Sequence, residues 1–259
     1  MSDQSPILRV AGLEKTFGAV VAAADINIVV SAGEIIGIIG ANGAGKTTFV
    51  NMVTGYLKPT AGSIRFEGKE LVGLAPRDVT KTGISRSFQV SQVFATMTVY
   101  ENVLTALAIA RSPGLDMLKP LRRPELEDRC NEVLARYRIA DYRDHEVGTL
   151  SQGVRKLLDI AMAVVSEPRI LLLDEPTSGV SVEEKFDIMD IVIEALRQDS
   201  VTVLFIEHDM EIVERYVSRV IAFYQGRIIC DETPAEALAD PAVQEFVIGT
   251  RQPAAKAEG

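Results

Sequence analysis

The stretch Gly-Ala-Asn-Gly-Ala-Gly-Lys-Thr at residues 40–47 decides how this chain folds. It follows residues 34–39, an apolar run typical of a buried strand, and it precedes a segment with a helical pattern. A glycine-rich turn in this setting matches the G-x-x-x-x-G-K-[ST] pattern of phosphate-binding loops. Glycine lets backbone N–H groups approach an anion, and the following helix N-terminus attracts negative charge. The sequence therefore predicts a phosphate site, against the alternative of a turn that fits the pattern by chance.

Residues 40–48 supply several groups suited to a triphosphate. We expect the Lys46 ammonium to reach the terminal phosphates. The Thr47 hydroxyl is a predicted Mg²⁺ ligand, and the Thr48 hydroxyl is predicted to hold the α-phosphate side. The other loop residues expected to bind the nucleotide are Gly40, Asn42, Gly43, Ala44 and Gly45.

Length and composition indicate a globular α/β protein. The 259 residues are 47% hydrophobic and 24% charged, which suffices for one large domain with a full core. A net charge of −9 disfavours broad contact with nucleic acid, because such contact depends on Lys and Arg. Cys130 and Cys230 lie far apart without metal-site spacing, so a reducing compartment is expected. We find no signal-peptide pattern and no apolar run of the ~18–20 residues that cross a bilayer.

Apolar runs along the chain indicate two kinds of sheet. Buried strands of a partly parallel sheet, alternating with helices, are predicted at residues 34–39, 170–173 and 201–206. Shorter strands of an antiparallel sheet are predicted at residues 7–10, 20–30 and 63–67. Between these parts the pattern predicts helices at residues 98–110, 125–137 and 155–166, and a proline-bearing loop at residues 112–124.

The stretch Ile-Leu-Leu-Leu-Asp-Glu at residues 170–175 is an apolar strand that ends in two carboxylates. We expect Asp174 at the strand tip, beside the phosphate loop, to hold Mg²⁺ through water. Side chains of neighbouring strand residues diverge, so Glu175 is expected to face the water that attacks the γ-phosphate. Two solvated acids at a strand end are the alternative for this motif alone.

Two further segments carry polar groups at element ends. In Leu-Ser-Gln-Gly-Val, residues 150–154, Ser151 is a good helix N-cap and Gly153 allows close backbone approach. Together they could form a second anion-binding site, which would act between two chains arranged head to tail. The alternative is a capped helix without a ligand. The strand at 201–206 leads to His208, which could bond the γ-phosphate or the attacking water, or could serve structure alone.

In this order the segments resemble the ATP-binding subunits of ABC transporters, over about residues 7–248. Residues 40–47 match the Walker A motif, and residues 150–154 look like the signature motif. Residues 170–175 look like Walker B, which implies that Glu175 is the catalytic glutamate. The resemblance implies a P-loop NTPase core with an N-terminal antiparallel β-subdomain and an inserted α-helical subdomain.

Three single positions also carry the resemblance. Gln89 in Ser-Arg-Ser-Phe-Gln matches the Q-loop residue, which implies contact with the nucleotide and its metal ion. His208 matches the switch histidine. Phe17 stands where the family has its adenine-stacking aromatic residue, with an ordinary core phenylalanine as the equal alternative.

The family layout implies boundaries along the chain. The β-subdomain and core are expected at about residues 7–90 and 166–249, the helical subdomain at about 91–165, and a flexible tail at 250–259. Within the family, the chain is most similar to importer ATPases for branched-chain amino acids, urea and amides. The stretches that carry this similarity are residues 83–89, 98–103, 112–124, 206–210 and 241–249. Lipid-export ATPases share several of them, so export stays an alternative.

The chain departs from the family pattern at two motifs. The usual signature is Leu-Ser-Gly-Gly-Gln, whereas here Gln152 and Val154 replace the third and fifth residues. After Walker B, Ser181 replaces an aspartate that helps to join the two nucleotide sites. We expect these changes to affect communication between sites, and their effect on turnover stays open.

The resemblance implies a cytoplasmic ATPase subunit on the inner face of the cell membrane, with ATP and Mg²⁺. Each ATP would lie between residues 40–48 of one chain and residues 151–153 of a second ATPase subunit, identical or paralogous. Glu175 would polarise the attacking water, while Lys46, Mg²⁺ and His208 stabilise the developing charge. The surface around residues 90–101 would dock onto permease subunits. An extracytoplasmic solute-binding protein would be an indirect partner, through the permease. No nucleic-acid partner is expected.

Two alternatives of other classes stay open. One is a non-transport ABC ATPase acting on DNA or the ribosome, against which the acidic composition argues. The other is a regulatory ATP-binding module with a degenerate site, which the altered signature would favour.

Overall fold

The computed structural model describes residues 6–87, 93–111 and 123–249. The chain forms two compact units, and each unit consists of segments that are distant in sequence. The first unit contains residues 6–30, 35–74 and 208–249. The second unit contains residues 31–34 and the described part of 75–207.

The described part of the chain combines strands and helices, with three strands before the first helix. The strands are β1 (Leu8–Phe17), β2 (Val20–Val30), β3 (Ile35–Gly40), β4 (Ala61–Phe66), β5 (Lys69–Glu70), β6 (Ile84–Ser87), β7 (Ile170–Asp174), β8 (Thr202–Ile206), β9 (Arg219–Tyr224) and β10 (Arg227–Glu232). The helices are α1 (Lys46–Val53), α2 (Pro76–Thr82), α3 (Val99–Arg111), α4 (Pro124–Arg136), α5 (Gln152–Val164), α6 (Val182–Gln198), α7 (Met210–Tyr216), α8 (Pro234–Ala239) and α9 (Pro241–Val243). Short helical turns lie at Ala140–Tyr142, Val147–Thr149 and Gln244–Ile248.

The first unit holds an antiparallel sheet in the order β2-β1-β4-β5, which confirms the predicted N-terminal sheet. Along β1 the buried Leu8 and Val10 alternate with the exposed Arg9 and Ala11, the pattern of a sheet with one covered face. In the same unit β3 pairs in parallel with β9, and β9 pairs antiparallel with β10. Every residue of β3 is buried, as expected for a strand covered on both faces.

The hairpin of β9 and β10 was not predicted from the sequence. Its turn consists of Gln225 and Gly226, both with positive φ, at 47° and 77°. Turns of this kind match the twist of the flanking strands, which is why glycine is favoured there. An apolar run followed by Gln-Gly was therefore the signal that could have revealed the hairpin.

The second unit contains β8, β7 and β6, paired in parallel in that order. The predicted strands at 170–173 and 201–206 are thus confirmed, whereas β6 was not predicted. Helices α3, α4 and α5 lie close to the predicted helical segments, although α5 begins at Gln152, three residues earlier than expected. Pro124, assigned to the loop from sequence, instead begins α4, because the first helical position needs no N–H donor.

Residues 112–122 lie outside the described part of the chain, so the predicted loop there stays a prediction, as do the boundaries of a helical subdomain. Among the described residues, no helix combines the length and apolar character needed to cross a membrane.

Candidate functional site

The phosphate loop lies in the first unit, between β3 and α1. A Cβ atom at Gly40 would lie 2.5 Å from the carbonyl oxygen of Phe223, and one at Gly45 would lie 2.8 Å from that of Ala22. Neither backbone neighbour can move aside cheaply. The two glycines therefore let the loop pack directly on β9 and β2, in addition to any contact with an anion.

Lys46 is the first residue of α1 and its side chain is buried. Its ammonium donates hydrogen bonds to the carbonyl oxygens of Gly40 and Ala41, the latter at 3.1 Å. Thr47 is exposed and Thr48 is half-buried at the same helix start. An ammonium, two hydroxyls and a helix N-terminus thus stand together at the loop, a donor set that fits the phosphates of a nucleotide.

Phe17 is not a core residue. Its side chain is 51% exposed at the end of β1, which removes the alternative of an ordinary buried phenylalanine. The Lys15 ammonium lies 4.9 Å from the centre of the Phe17 ring, a cation–π contact. An exposed ring in the unit that carries the phosphate loop is consistent with the predicted adenine contact, which stays a prediction.

His208 belongs to the first unit and is exposed. The following residue, Asp209, caps α7 by accepting a hydrogen bond from the Glu211 N–H. His208 thus lies directly before the N-cap residue of α7, in the segment that follows β8.

The acidic end of β7 lies in the second unit. Asp174 is the last residue of the strand, as predicted, and is 8% exposed. Its carboxylate accepts a hydrogen bond of 2.6 Å from the Arg86 guanidinium, on the neighbouring strand β6. Arg86 was not predicted from the sequence, since only the pairing of β6 with β7 brings it to Asp174.

Glu175 follows Asp174 with a backbone φ of 49°, in the left-handed region. Residues with a Cβ atom rarely adopt this conformation, which recurs at functional sites. The Glu175 N–H donates to the carbonyl oxygen of Ile206, at 3.0 Å. The chain therefore turns sharply at the residue predicted to be the catalytic base.

Several buried charged residues of the second unit were missed by the sequence analysis, and two of them, Glu207 and Lys156, bear on the site. Glu207, 3% exposed, accepts hydrogen bonds from the backbone and hydroxyl of Thr177. Lys156 on α5 is 1% exposed. Burial lowers the pKa of its ammonium, and the negative charges of Asp159, Asp174, Glu207 and Glu175 act in the opposite direction. A lysine within a helical pattern gave no signal that its charge would interact with several carboxylates.

The signature-like turn begins α5. The Ser151 hydroxyl accepts a hydrogen bond from the Val154 N–H at 3.4 Å, so the predicted N-cap is confirmed. Gly153 is buried, and a Cβ atom there would lie 2.7 Å from Cδ1 of Ile188 on α6. Gly153 therefore lets α5 pack closely on α6 at Ile188, a reason that the sequence did not reveal.

Two of the residues that depart from the family pattern, Gln152 and Ser181, lie near the loop after β7 and at the start of α6. The Gln152 side chain would lie 3.5 Å from a Cβ atom on Gly179, in the loop after β7. Ser181 caps α6, accepting from the Glu184 N–H and donating to the Glu184 carboxylate. Serine thus keeps the capping function that aspartate would also serve.

The described residues contain no cluster of three or more His, Cys, Asp or Glu side chains placed to hold a metal ion. Mg²⁺ does not need one, because it is commonly bound by one or two carboxylates together with water and substrate phosphates. The buried Asp174 carboxylate and the exposed Thr47 hydroxyl are oxygen donors of the right kind. Gln89, the other predicted ligand, lies outside the described residues.

Comparison with known proteins gave a consistent result. A family model described as ABC transporter matches residues 23–178. The high-affinity branched-chain amino acid transport ATP-binding protein BraF of Pseudomonas aeruginosa is 35% identical over 250 residues, which cover 94% of this chain and 98% of BraF.

Solved structures show the same likeness. The ADP conformation of an ATP-binding cassette of an ABC transporter superposes with a TM-score of 0.84 at 33% identity, covering 95% of this chain and 99% of that one. A dimeric cassette in a post-hydrolysis state, bound to ADP and Pi, has a TM-score of 0.74 at 24% identity, covering 88% and 98%. The second likeness concerns the fold alone.

Proposed function

The chain belongs to the ABC transporter family as an ATP-binding, ATP-hydrolysing subunit, and we propose that it powers the uptake of branched-chain or other amino acids. The observation that carries this proposal is the match to BraF, which extends over nearly the full length of both chains. The shared family model covers residues 23–178. The match to BraF also includes residues outside that range, in which subfamilies can differ.

In the first unit, we assign nucleotide binding to the phosphate loop. The loop backbone and the Lys46 ammonium bind the phosphates, and the exposed Phe17 ring stacks on the adenine. The Lys46 ammonium donates to two loop carbonyls, which hold its charge close to the loop. His208 donates a hydrogen bond to the γ-phosphate or to the attacking water.

In the second unit, we assign the hydrolytic chemistry to the end of β7. Glu175 accepts a proton from the attacking water and orients it for in-line displacement at the γ-phosphate. Mg²⁺, when bound, neutralises charge on the phosphates, and Asp174, Thr47 and Gln89 are its proposed ligands. The Arg86 guanidinium holds the Asp174 carboxylate in one orientation, at 2.6 Å.

The proposed partners are a second ATPase subunit, permease subunits and, indirectly, an extracytoplasmic solute-binding protein. The dimeric cassette bound to ADP and Pi supports the first of these. In such a dimer Ser151 and Gly153 would bind the partner's nucleotide, and residues 90–101 would dock onto the permease. The subunit would then be peripheral on the inner face of the membrane.

Two substitutions test the assignment of roles. Glu175→Gln should retain Mg·ATP binding but lower kcat by roughly 10²–10⁴-fold, because the general base is lost. Lys46→Ala should abolish nucleotide binding. Glu183→Gln, a change at an exposed carboxylate of α6 in the second unit, is the matched control and should leave kcat unchanged.

Turnover is to be measured with the membrane partners present, together with uptake of labelled branched-chain amino acids into vesicles. Normal hydrolysis by Glu175→Gln would refute the role of that residue. ATP binding without any hydrolysis by the unaltered chain would favour a regulatory module. Substrate movement in the outward direction would favour an exporter.

A further inference from the structure

The backbone around Glu175 is held at two points, one on each side of it. Before the turn, the Glu175 N–H donates to Ile206, which continues the pairing of β7 with β8 one residue beyond Asp174. After the turn, the next residue is Pro176, which has no N–H to donate. Thr177 therefore carries the first backbone donor beyond Glu175.

That donor is bound by a buried carboxylate. Oε1 of Glu207 accepts a hydrogen bond of 3.2 Å from the Thr177 N–H and one of 2.6 Å from the Thr177 hydroxyl. Glu207 directly follows Ile206 in the chain, so one attachment point is the last residue of β8 and the other is the next residue. Hydrogen bonds on either side of the Glu175 turn thus go to two consecutive residues, Ile206 at the end of β8 and Glu207 directly after it.

Such an arrangement suits a residue that must hold an unfavourable conformation. Glu175 adopts a φ of 49° in spite of its Cβ atom, and only its surroundings can keep it there. A bond to a carboxylate is stronger than one between neutral groups, and 3% exposure protects it from water. The charge of Glu207 is balanced in part by Lys156, which is buried on α5.

We propose that Glu207 is a positioning residue for ATP hydrolysis, whose carboxylate holds Thr177 and thereby fixes the turn that aims Glu175. This inference rests on the proposed role of Glu175 as the general base. Glu207 itself does not touch the reacting atoms in this proposal. Its effect passes through the backbone of two residues, Pro176 and Thr177.

Three variants test the proposal in the full-length chain with its membrane partners. Glu207→Ala removes the acceptor and should lower kcat on the order of 10²-fold, the loss expected when a catalytic group is displaced by about 1 Å. Thr177→Val removes only the hydroxyl donor and should lower kcat by about tenfold. Thr177→Ser keeps both donors and should retain the normal kcat.

The readouts separate positioning from stability. KM for Mg·ATP should stay within about twofold in all three variants, because binding is not altered. The double variant Glu207→Ala with Thr177→Val should be no slower than Glu207→Ala, since both changes break one interaction. Glu236→Ala is the matched control: Glu236 accepts a 2.6 Å bond from the Thr233 hydroxyl at the start of α8. It should lower thermal stability without changing kcat.

Each outcome decides for or against the proposal. A lowered kcat with an unchanged KM, restored in Thr177→Ser, supports it. Full kcat in Thr177→Val overturns the proposal. It does so even if Glu207→Ala fails to fold, because Glu207 would then have only a structural role. An inactive Glu175→Gln beside fully active Glu207 and Thr177 variants overturns this inference alone. An active Glu175→Gln overturns the proposed function and this inference with it.

Discussion

Replacing Gly153 by alanine tests whether this glycine is needed for packing within the chain. The added methyl group would point towards α6, where it would lie 2.7 Å from Cδ1 of Ile188. That side chain is 5% exposed, so its end must shift within the packed interior to admit the methyl group. The clash should therefore appear as a loss of stability, and it should disappear when the clashing atom is removed.

The magnitudes follow from the two side chains involved. Overpacking a core costs about 1–3 kcal/mol, and replacing a helical glycine by alanine returns about 1 kcal/mol, which leaves a net loss of about 1 kcal/mol. Ile188→Val removes Cδ1 and should cost about 1 kcal/mol in the unaltered chain. In the Gly153→Ala background it should cost nothing or stabilise, so the two changes should be coupled by at least about 1 kcal/mol.

Urea unfolding followed by circular dichroism measures this coupling, since the chain contains no tryptophan for fluorescence. Because the methyl group points into the chain, the double variant should regain ATP turnover together with stability. Stability changes that simply add, within about 0.5 kcal/mol, would contradict the packing argument. A stable but inactive double variant would show instead that Gly153 is required for approach to a ligand.

Three further predictions concern buried polar groups. Arg86→Met removes the partner of the Asp174 carboxylate and should lower the unfolding free energy by about 3 kcal/mol without Mg²⁺; an unchanged urea midpoint would contradict this. Asn102→Leu removes bonds to both backbone groups of Phe94 and should cost about 1–3 kcal/mol, with faster hydrogen exchange at the Phe94 amide as its signature. Burial raises the pKa of the Cys130 thiol from 9.0 to about 12. At pH values between these two pKa values, the thiol is ionised in the unfolded chain and protonated in the folded chain. Stability should therefore fall above pH 9 by up to about 1.4 kcal/mol per unit, and Cys130→Ala should lose that part of the slope.

The elements found from sequence are those with a strong local pattern. Strand β7 is a continuous apolar run that ends in two acids, and the phosphate loop is a fixed spacing of glycines before Lys46. The family that these motifs indicated is confirmed by the match over residues 23–178. Strand β6 was missed because Ile-Ser-Arg-Ser has neither an apolar run nor a clear alternation, and its pairing with β7 decides its conformation.

For the candidate site, too, the sequence predicted the residues that belong to a local motif and missed the contacts between distant residues. The sequence predicted site roles for Lys46, Asp174 and Glu175, because their chemistry is tied to a motif of consecutive residues. It gave Phe17 two equal interpretations, which only its exposure in the folded chain could separate. It assigned Gly153 to ligand approach and could not anticipate the contact with α6, where Ile188 lies 35 positions further along.

What the sequence determined by itself is therefore the kind of chemistry and the ligand class, since glycine spacing, strand-end acids and helix caps act through neighbouring residues. What only the tertiary structure decided is which distant groups hold that chemistry in place. Glu207 reaches Thr177 across 30 positions, and Arg86 reaches Asp174 across 88. The order and register of strands set both contacts, and they follow from how the whole chain buries its apolar surface rather than from any local pattern.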